Sequence, residues 1–228
     1  MRSPDKLSLE KLIDDAQAAL GPIAEMDGRV LYSSIETLCP GRFYLLGMNP
    51  SDGPDRYHHI GESLRDIPNH HWNTYIDDDW GRGSGKHHMQ KRVCFMLRTL
   101  GLEPREVFAT NLVFVRSRRW TPAQARFIPE CLRVHRMFLG IVQPHTVVTF
   151  GKPAFDALIK IGHHGAIKPF DTGCANGSAN FSCYMADSDI WGHPIRVVCL
   201  PHFSKFKIDA QPLTIGWLRE AAGEARLS

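Results

Sequence analysis

None of the chain's cysteines (Cys39, Cys94, Cys131, Cys174, Cys183 and Cys199) forms a C-x-x-C pair. Zinc ribbons and iron–sulfur centres need clustered thiolates, so both readings are disfavoured. The N-terminal stretch MRSPDKLSLEKLIDDAQAAL has no apolar core followed by a small-residue cleavage site, so no signal peptide is expected. No uninterrupted apolar run approaches the ~20 residues of a membrane helix. These absences predict a cytoplasmic protein with reduced thiols and no membrane partner. Internal repeats and low-complexity tracts are missing too. So are G-x-G-x-x-G, G-x-x-x-x-G-K-[ST], G-x-S-x-G, H-E-x-x-H and H-x-E…C-x-x-C. That argues against a dinucleotide site, a P-loop, a serine-hydrolase elbow, and zinc peptidase or deaminase chemistry.

What is present is a chain of 228 residues, 43% hydrophobic. This is enough for one domain over 1–228 with a full core, and too apolar for a disordered chain. The net charge of +3 hides an asymmetry. Residues 1–80 hold 7 basic and 14 acidic residues, a net of −7; residues 81–136 hold 12 and 3, a net of +9; residues 137–228 hold 8 and 7, a net of +1. A modest total therefore conceals a basic stretch able to meet an anionic polymer, although a solvated helix face produces the same count.

The hydrophobic pattern alternates between short apolar runs and amphipathic stretches. Leu7, Leu12, Ala16 and Leu20 mark a first helix that Gly21-Pro22 closes. Phe43–Met48 reads as a buried strand, ended by the turn-forming run Asn49–Pro54. Residues 52–84 form a long polar and aromatic connection, a length that usually serves function. A helix over about 86–100 carries Met89, Val93, Leu97 and Leu100 on one face. Val107–Val115, His145–Phe150 and Ile195–Leu200 read as further strands. Between them, Thr121-Pro122 opens a helix toward Val142 that Pro129 threatens to break, and Gly151-Lys152-Pro153 leads into another. Residues 162–193 read as an irregular excursion, and a last helix spans about 211–225.

Apolar strands separated by helices predict an α/β fold: a three-layer α/β/α sandwich around a central four-stranded, mainly parallel sheet. In such sheets the site lies outside the carboxyl ends of the strands. Those ends are Asn49-Pro50-Ser51, Asn111 onward, Phe150-Gly151 and Pro201-His202.

At these ends the chain resembles the uracil-DNA glycosylase superfamily over most of residues 40–208. Gly47-Met48-Asn49-Pro50-Ser51 looks like its first motif, closest to the G-[MI]-N-P-G pattern of the single-strand-selective and mismatch-specific branches. Thr110-Asn111-Leu112-Val113 sits where that superfamily has its base-reading strand. Pro144–Ala154 matches its strand-glycine-helix segment. Leu200–Phe206 resembles the second motif, usually H-P-S-P followed by a wedge residue.

The resemblance implies a monofunctional repair enzyme that flips uracil, and related deaminated bases, out of DNA and hydrolyses the N-glycosidic bond. It needs no cofactor or metal and acts as a monomer on DNA containing the damaged base. Cleavage builds positive charge on the sugar and negative charge on the departing base. The site therefore needs a positioned water, a donor for the leaving base and a pocket that reads its polar edge. By position, Asn49 orients the water and His202 donates to the pyrimidine oxygen. Asn111 reads the base edge with its donor and acceptor. Gly47, Met48 and Ser51 frame the base, and Tyr57 is the first choice for stacking on it, ahead of Trp72, Tyr75 and Trp80. Phe206 takes the wedge position. Pro50, Ser204, Lys205 and the cluster Arg116, Arg118, Arg119 and Trp120 face the DNA backbone.

Two departures stand out. Ser51 replaces the tyrosine that excludes thymine, predicting a roomier pocket, and Phe203 and Lys205 replace both prolines of the second motif. Each residue type also has a plainer reading: Asn49-Pro50-Ser51 as a turn, His202 as structural, Asn111 paired with backbone, Phe206 in the core. The paired histidines at 58/59, 70/71, 87/88 and 163/164 are poor chelators, because adjacent side chains point apart. Two competitors remain: a binding module of the same fold with little turnover, and a doubly wound enzyme acting on a small nucleotide or ester.

Overall fold

The computed structural model describes residues 6–51, 56–176 and 179–223. Asp52–Pro54 of the expected turn and residues 224–225 of the expected last helix lie outside them. The elements in chain order are α1 (Lys6–Leu20), β1 (Phe43–Gly47), α2 (Ile60–Arg65), α3 (His88–Thr99), β2 (Phe108–Asn111), α4 (Pro122–Ala125), α5 (Ile128–Val142), β3 (Thr146–Phe150), α6 (Lys152–Ile161), β4 (His163–His164), β5 (Lys168–Asn176), β6 (Ala179–Ile190), β7 (His193–Leu200) and α7 (Pro212–Ala221).

Four of these strands, in the order β2-β1-β3-β7, form the parallel sheet that the apolar runs predict. Each of β1, β2 and β3 is buried along its whole length, as a parallel strand covered on both faces must be. The period of two divides them between the faces. Tyr44, Leu46, Phe108, Val147 and Val197 share one core with α1, α2, α5 and α6. Phe43, Leu45, Ala109, Val148, Val198 and Leu200 share the other with α3 and α7. The result is a three-layer α/β/α sandwich. Among the described residues no helix is long and apolar enough to cross a membrane.

The sheet is wider than the expected four strands. Residues 162–193 are not an irregular excursion: β6 pairs antiparallel with β7, and β4 and β5 pair with β6. The alternation of β6 is carried by small or polar residues, with Ala186, Ser188 and Ile190 inward and Asp187 and Asp189 outward, so its apolar signal is faint. The helix expected from Thr121 to Val142 is divided near Arg126-Phe127, and Pro129 sits in the first turn of α5, where its missing N–H has no partner to lose.

The outer edge of β2 is occupied by residues 27–33. Ala109 O accepts from Tyr32 N–H at 2.9 Å and Phe114 O from Arg29 N–H at 3.0 Å. Thr110 Oγ1 donates to Val30 O at 2.6 Å, and Ala109 N–H donates to Ser33 Oγ at 2.8 Å. Gly28 is required here, since a Cβ would sit 2.1 Å from Phe114 O.

Candidate functional site

A cavity of about 630 Å³ opens outside the carboxyl ends of the parallel strands. Gly47, Asn49, Ser51, Asn111, Arg116 and His202 all line it. Three separate strand exits therefore deliver candidate side chains to one place.

Asn49 follows β1. Its amide nitrogen donates to Pro50 O at 2.8 Å and to Ser117 O at 2.7 Å. Both N–H groups are spent on backbone, so Oδ1 is the group it has left to offer. Backbone bonds from Leu112 N–H to Gly47 O, Val113 N–H to Met48 O and Ser117 N–H to Pro50 O, at 2.9–3.0 Å, fasten this turn to the chain beyond β2. An acceptor held this way suits a water molecule.

Asn111 ends β2, directly beside Gly47 in the parallel register. It is 5% exposed, and its Nδ2 is buried without a hydrogen-bond partner. A buried amide donor left unpaired costs about 1–3 kcal/mol, and the residue that carries it lines the cavity.

His202 follows β7. Its Nδ1 accepts from Ser204 N–H at 3.2 Å and lies 2.8 Å from Ser204 Oγ. With Nδ1 an acceptor, the neutral ring carries its proton on Nε2. Burial, and then the Lys205 ammonium, hold its pKa below the ordinary histidine value. Lys205 N–H and Phe206 N–H both donate to His202 O, at 3.0 and 3.1 Å, closing a tight turn without either of the expected prolines.

Several expected residues are placed elsewhere. Tyr57 does not line the cavity: it is 5% exposed, its hydroxyl donates to Asp66 at 2.7 Å, and its ring leans toward His70 and Trp72. Tyr75 and Trp80 do line the cavity, with Tyr32 beside them, and their rings pack in series at 6.1 Å. Phe206 is not a projecting wedge: it is 1% exposed and meets Phe181 edge-on at 5.1 Å. Phe203 is also in the core, against Phe150 at 4.8 Å. Met48 does not line the cavity; its sulfur covers Gly151, whose added Cβ would lie 2.8 Å away.

Arg116 reaches Asp27 at 2.9 Å and Ser51 O at 2.8 Å, bracing the first motif. Arg118, Arg119, Ser204 and Lys205 are exposed, and Pro50 is buried. Among the described residues no group of three His, Cys, Asp or Glu side chains is placed to hold a metal ion.

Sequence reasoning passes over Arg29, Thr74 and Asp78, which also line the cavity. Arg29 is 4% exposed, pairs with Asp78 at 2.9 Å, and also donates to Leu31 O and Thr74 Oγ1. Its one sequence signal is the acidic run Asp77-Asp78-Asp79, which a buried guanidinium needs nearby.

No protein-family model matches the chain. No curated protein matches it either.

Proposed function

We propose that the chain is a uracil-DNA glycosylase: it takes up an extruded uracil, or a related deaminated base, and hydrolyses its N-glycosidic bond to leave an abasic site. The observation that carries this reading is the unpartnered Nδ2 of Asn111, nine-tenths buried at the wall of a cavity shared with Asn49 and His202. A uracil edge presents an acceptor at O4 for that nitrogen and a donor at N3 for Oδ1.

The three residues then divide the chemistry. Asn49 Oδ1 accepts from a water and holds it against the sugar, while an amide abstracts no proton near neutral pH. The oxocarbenium-like sugar is electrophilic enough for such a water. His202 Nε2–H donates to the pyrimidine oxygen as negative charge develops there. Tyr75 and Trp80 supply aromatic walls against which a planar base packs. With Phe206 in the core, the strand-end turn places no apolar wedge at the vacated stack, which favours a single-stranded substrate.

The test is a cleavage panel on oligonucleotides carrying uracil, hypoxanthine, xanthine or mismatched thymine, single- and double-stranded. Alkali-labile product from single-stranded uracil DNA, lost in N49A and H202A, is the expected result. Full cleavage by both variants overturns the site. Retention of the uracil strand without product selects the binding module instead, and hydrolysis of free deoxyuridine with no affinity for DNA selects a nucleoside hydrolase.

A further inference from the structure

The hairpin between Asp79 and His88 borders the cavity through Trp80, Gly81 and His87. Gly81, Gly83 and Gly85 all adopt positive φ, at 82°, 87° and 67°. The Asp79 carboxylate accepts from Arg82 N–H at 2.9 Å and Gly83 N–H at 2.7 Å. Lys86 N–H donates to Gly83 O at 3.0 Å, and Asp79 bridges Ser84. The loop is therefore held by its backbone and by its one carboxylate. Among the described residues the Arg82 and Lys86 side chains make no hydrogen bond within it, although the Lys86 charge reaches the Asp79 carboxylate.

Arg82 and Lys86 are exposed and make no ion pair among the described residues. The rings of His87 and His88 lie 4.0 Å apart. Positive charge on Arg82 and Arg92 reaches both imidazoles and adds to burial in lowering their pKa values. Arg92 has Asp209 at 3.6 Å as a partial counter-charge. Within the hairpin the one acidic side chain is Asp79, which the loop's own amides and the Lys86 charge already engage.

We infer that the Asp79–His88 hairpin is a phosphate-binding element: Arg82 and Lys86 take the phosphodiester of a nucleic-acid strand whose base lies in the adjacent cavity. Two exposed cations on a backbone-braced loop suit an oxyanion that carries no sequence information. Trp80 and Gly81 make the loop and the cavity wall one continuous piece of chain, so a grip on phosphate sets the depth to which the neighbouring base enters. The inference rests on the glycosylase reading for the identity of that base.

The test measures binding of a fluorescent single-stranded uracil oligonucleotide by anisotropy across a salt series. R82S/K86S is compared with the parent chain and with R133S/K160S, which removes equal charge from α5 and α6. Releasing two phosphate contacts lowers the slope of log K against log salt by about 1.4, at roughly 0.7 per contact on single strands. An affinity loss of about tenfold or more in low salt accompanies it, while R133S/K160S keeps the parent slope. Deoxyuridine, which has no phosphate, binds all three proteins equally. An unchanged slope in R82S/K86S, or an equal change in R133S/K160S, overturns the hairpin and leaves the glycosylase reading standing. Conversely, a reduced slope in R82S/K86S beside a parent chain that never cleaves keeps the hairpin and removes the enzyme. If deoxyuridine 5′-phosphate loses as much affinity as the oligonucleotide, the hairpin serves a free nucleotide and the strand assignment is overturned.

Discussion

Asn111 fills the space that a side chain at Gly47 would need: a Cβ built on Gly47 would lie 2.0 Å from Asn111 Oδ1. The two are register partners on β2 and β1, so the glycine is what allows the amide to lie across the neighbouring strand end. Gly47 earns its position through its neighbour's side chain.

Asn111→Ala is expected to separate function from stability. Its Nδ2 has no partner to lose, so Tm stays level or rises, whereas ordinary removal of a buried, bonded polar group lowers it. Uracil cleavage falls by about ten- to a hundredfold, the worth of one or two hydrogen bonds to the base. Gly47→Ala displaces the same amide, and its effect on kcat/KM should not add to that of Asn111→Ala in the double variant. Thermal melts alongside single-turnover assays decide this, and a Tm drop of several degrees in N111A would sink the reading of Asn111 as a ligand-facing group.

The acid limb of the cleavage pH profile should lie below the ordinary histidine value. Burial and Lys205 lower the pKa of His202, so the neutral, Nε2-protonated ring persists as pH falls through 6.5. Protonation of Nδ1 would also lose the bond from Ser204 N–H. Activity then declines only below pH 6.5, and Lys205→Met moves that acid limb up toward 6.5 by removing the cation that disfavours a charged ring. H202A loses about 10²–10³ in kcat, as for deletion of one oxyanion donor. A midpoint at or above 6.5 contradicts the assignment.

A different histidine governs acid stability. His135 is 1% exposed, accepts from the Tyr44 hydroxyl at Nδ1 (2.8 Å) and donates from Nε2 to Leu112 O (3.1 Å). Burial pushes its pKa down to about 4. Between pH 6.5 and 4 the unfolded chain therefore binds a proton that the folded chain refuses, and stability falls as pH falls. Nothing is lost through this group above pH 6.5, and about 3 kcal/mol of stability is lost by pH 4. His70, lowered to about 3 mainly by burial, acts in the same direction. Urea denaturation of H135Q, which cannot titrate, should show a smaller loss between pH 7 and pH 4 than the parent chain shows. Parallel curves refute the linkage.

Phe206→Ala should destabilise the fold by about 3–5 kcal/mol, the usual result of emptying a buried aromatic site. An intercalating residue behaves in the opposite way, since its truncation weakens DNA binding and leaves the melt alone. Paired melting and binding measurements on this one variant discriminate the two.

The strands and most helices are legible in the sequence because burial on both faces writes continuous apolar runs such as Phe43–Leu46 and Thr146–Phe150. β6 is not, because it packs Ala186 and Ser188 where a larger apolar residue would have signalled a strand. Asn49, Asn111 and His202 can be located from the rule that sites gather at carboxyl ends, and they do share one cavity. Phe206 illustrates the opposite case: an apolar residue four positions after His202 suits a wedge or a core equally, and only the packing against Phe181 decides. Arg29 and Tyr32 belong to an irregular segment positioned by bonds to residues about eighty positions away, and local pattern is silent about such placement.

That segment has a consequence for how molecules of this chain meet. An outermost strand ordinarily offers a row of free amides and carbonyls on which another chain can grow. Residues 27–33 cover that row on β2, so the border of the sheet beside the cavity is closed to self-templating. The border left for ordered, fibre-like association is the far one, made by β4 and β5 beside β6. Loosening the strap with Gly28→Val, where a side chain would strike Phe114 O, opens a second border on which molecules can stack edge to edge.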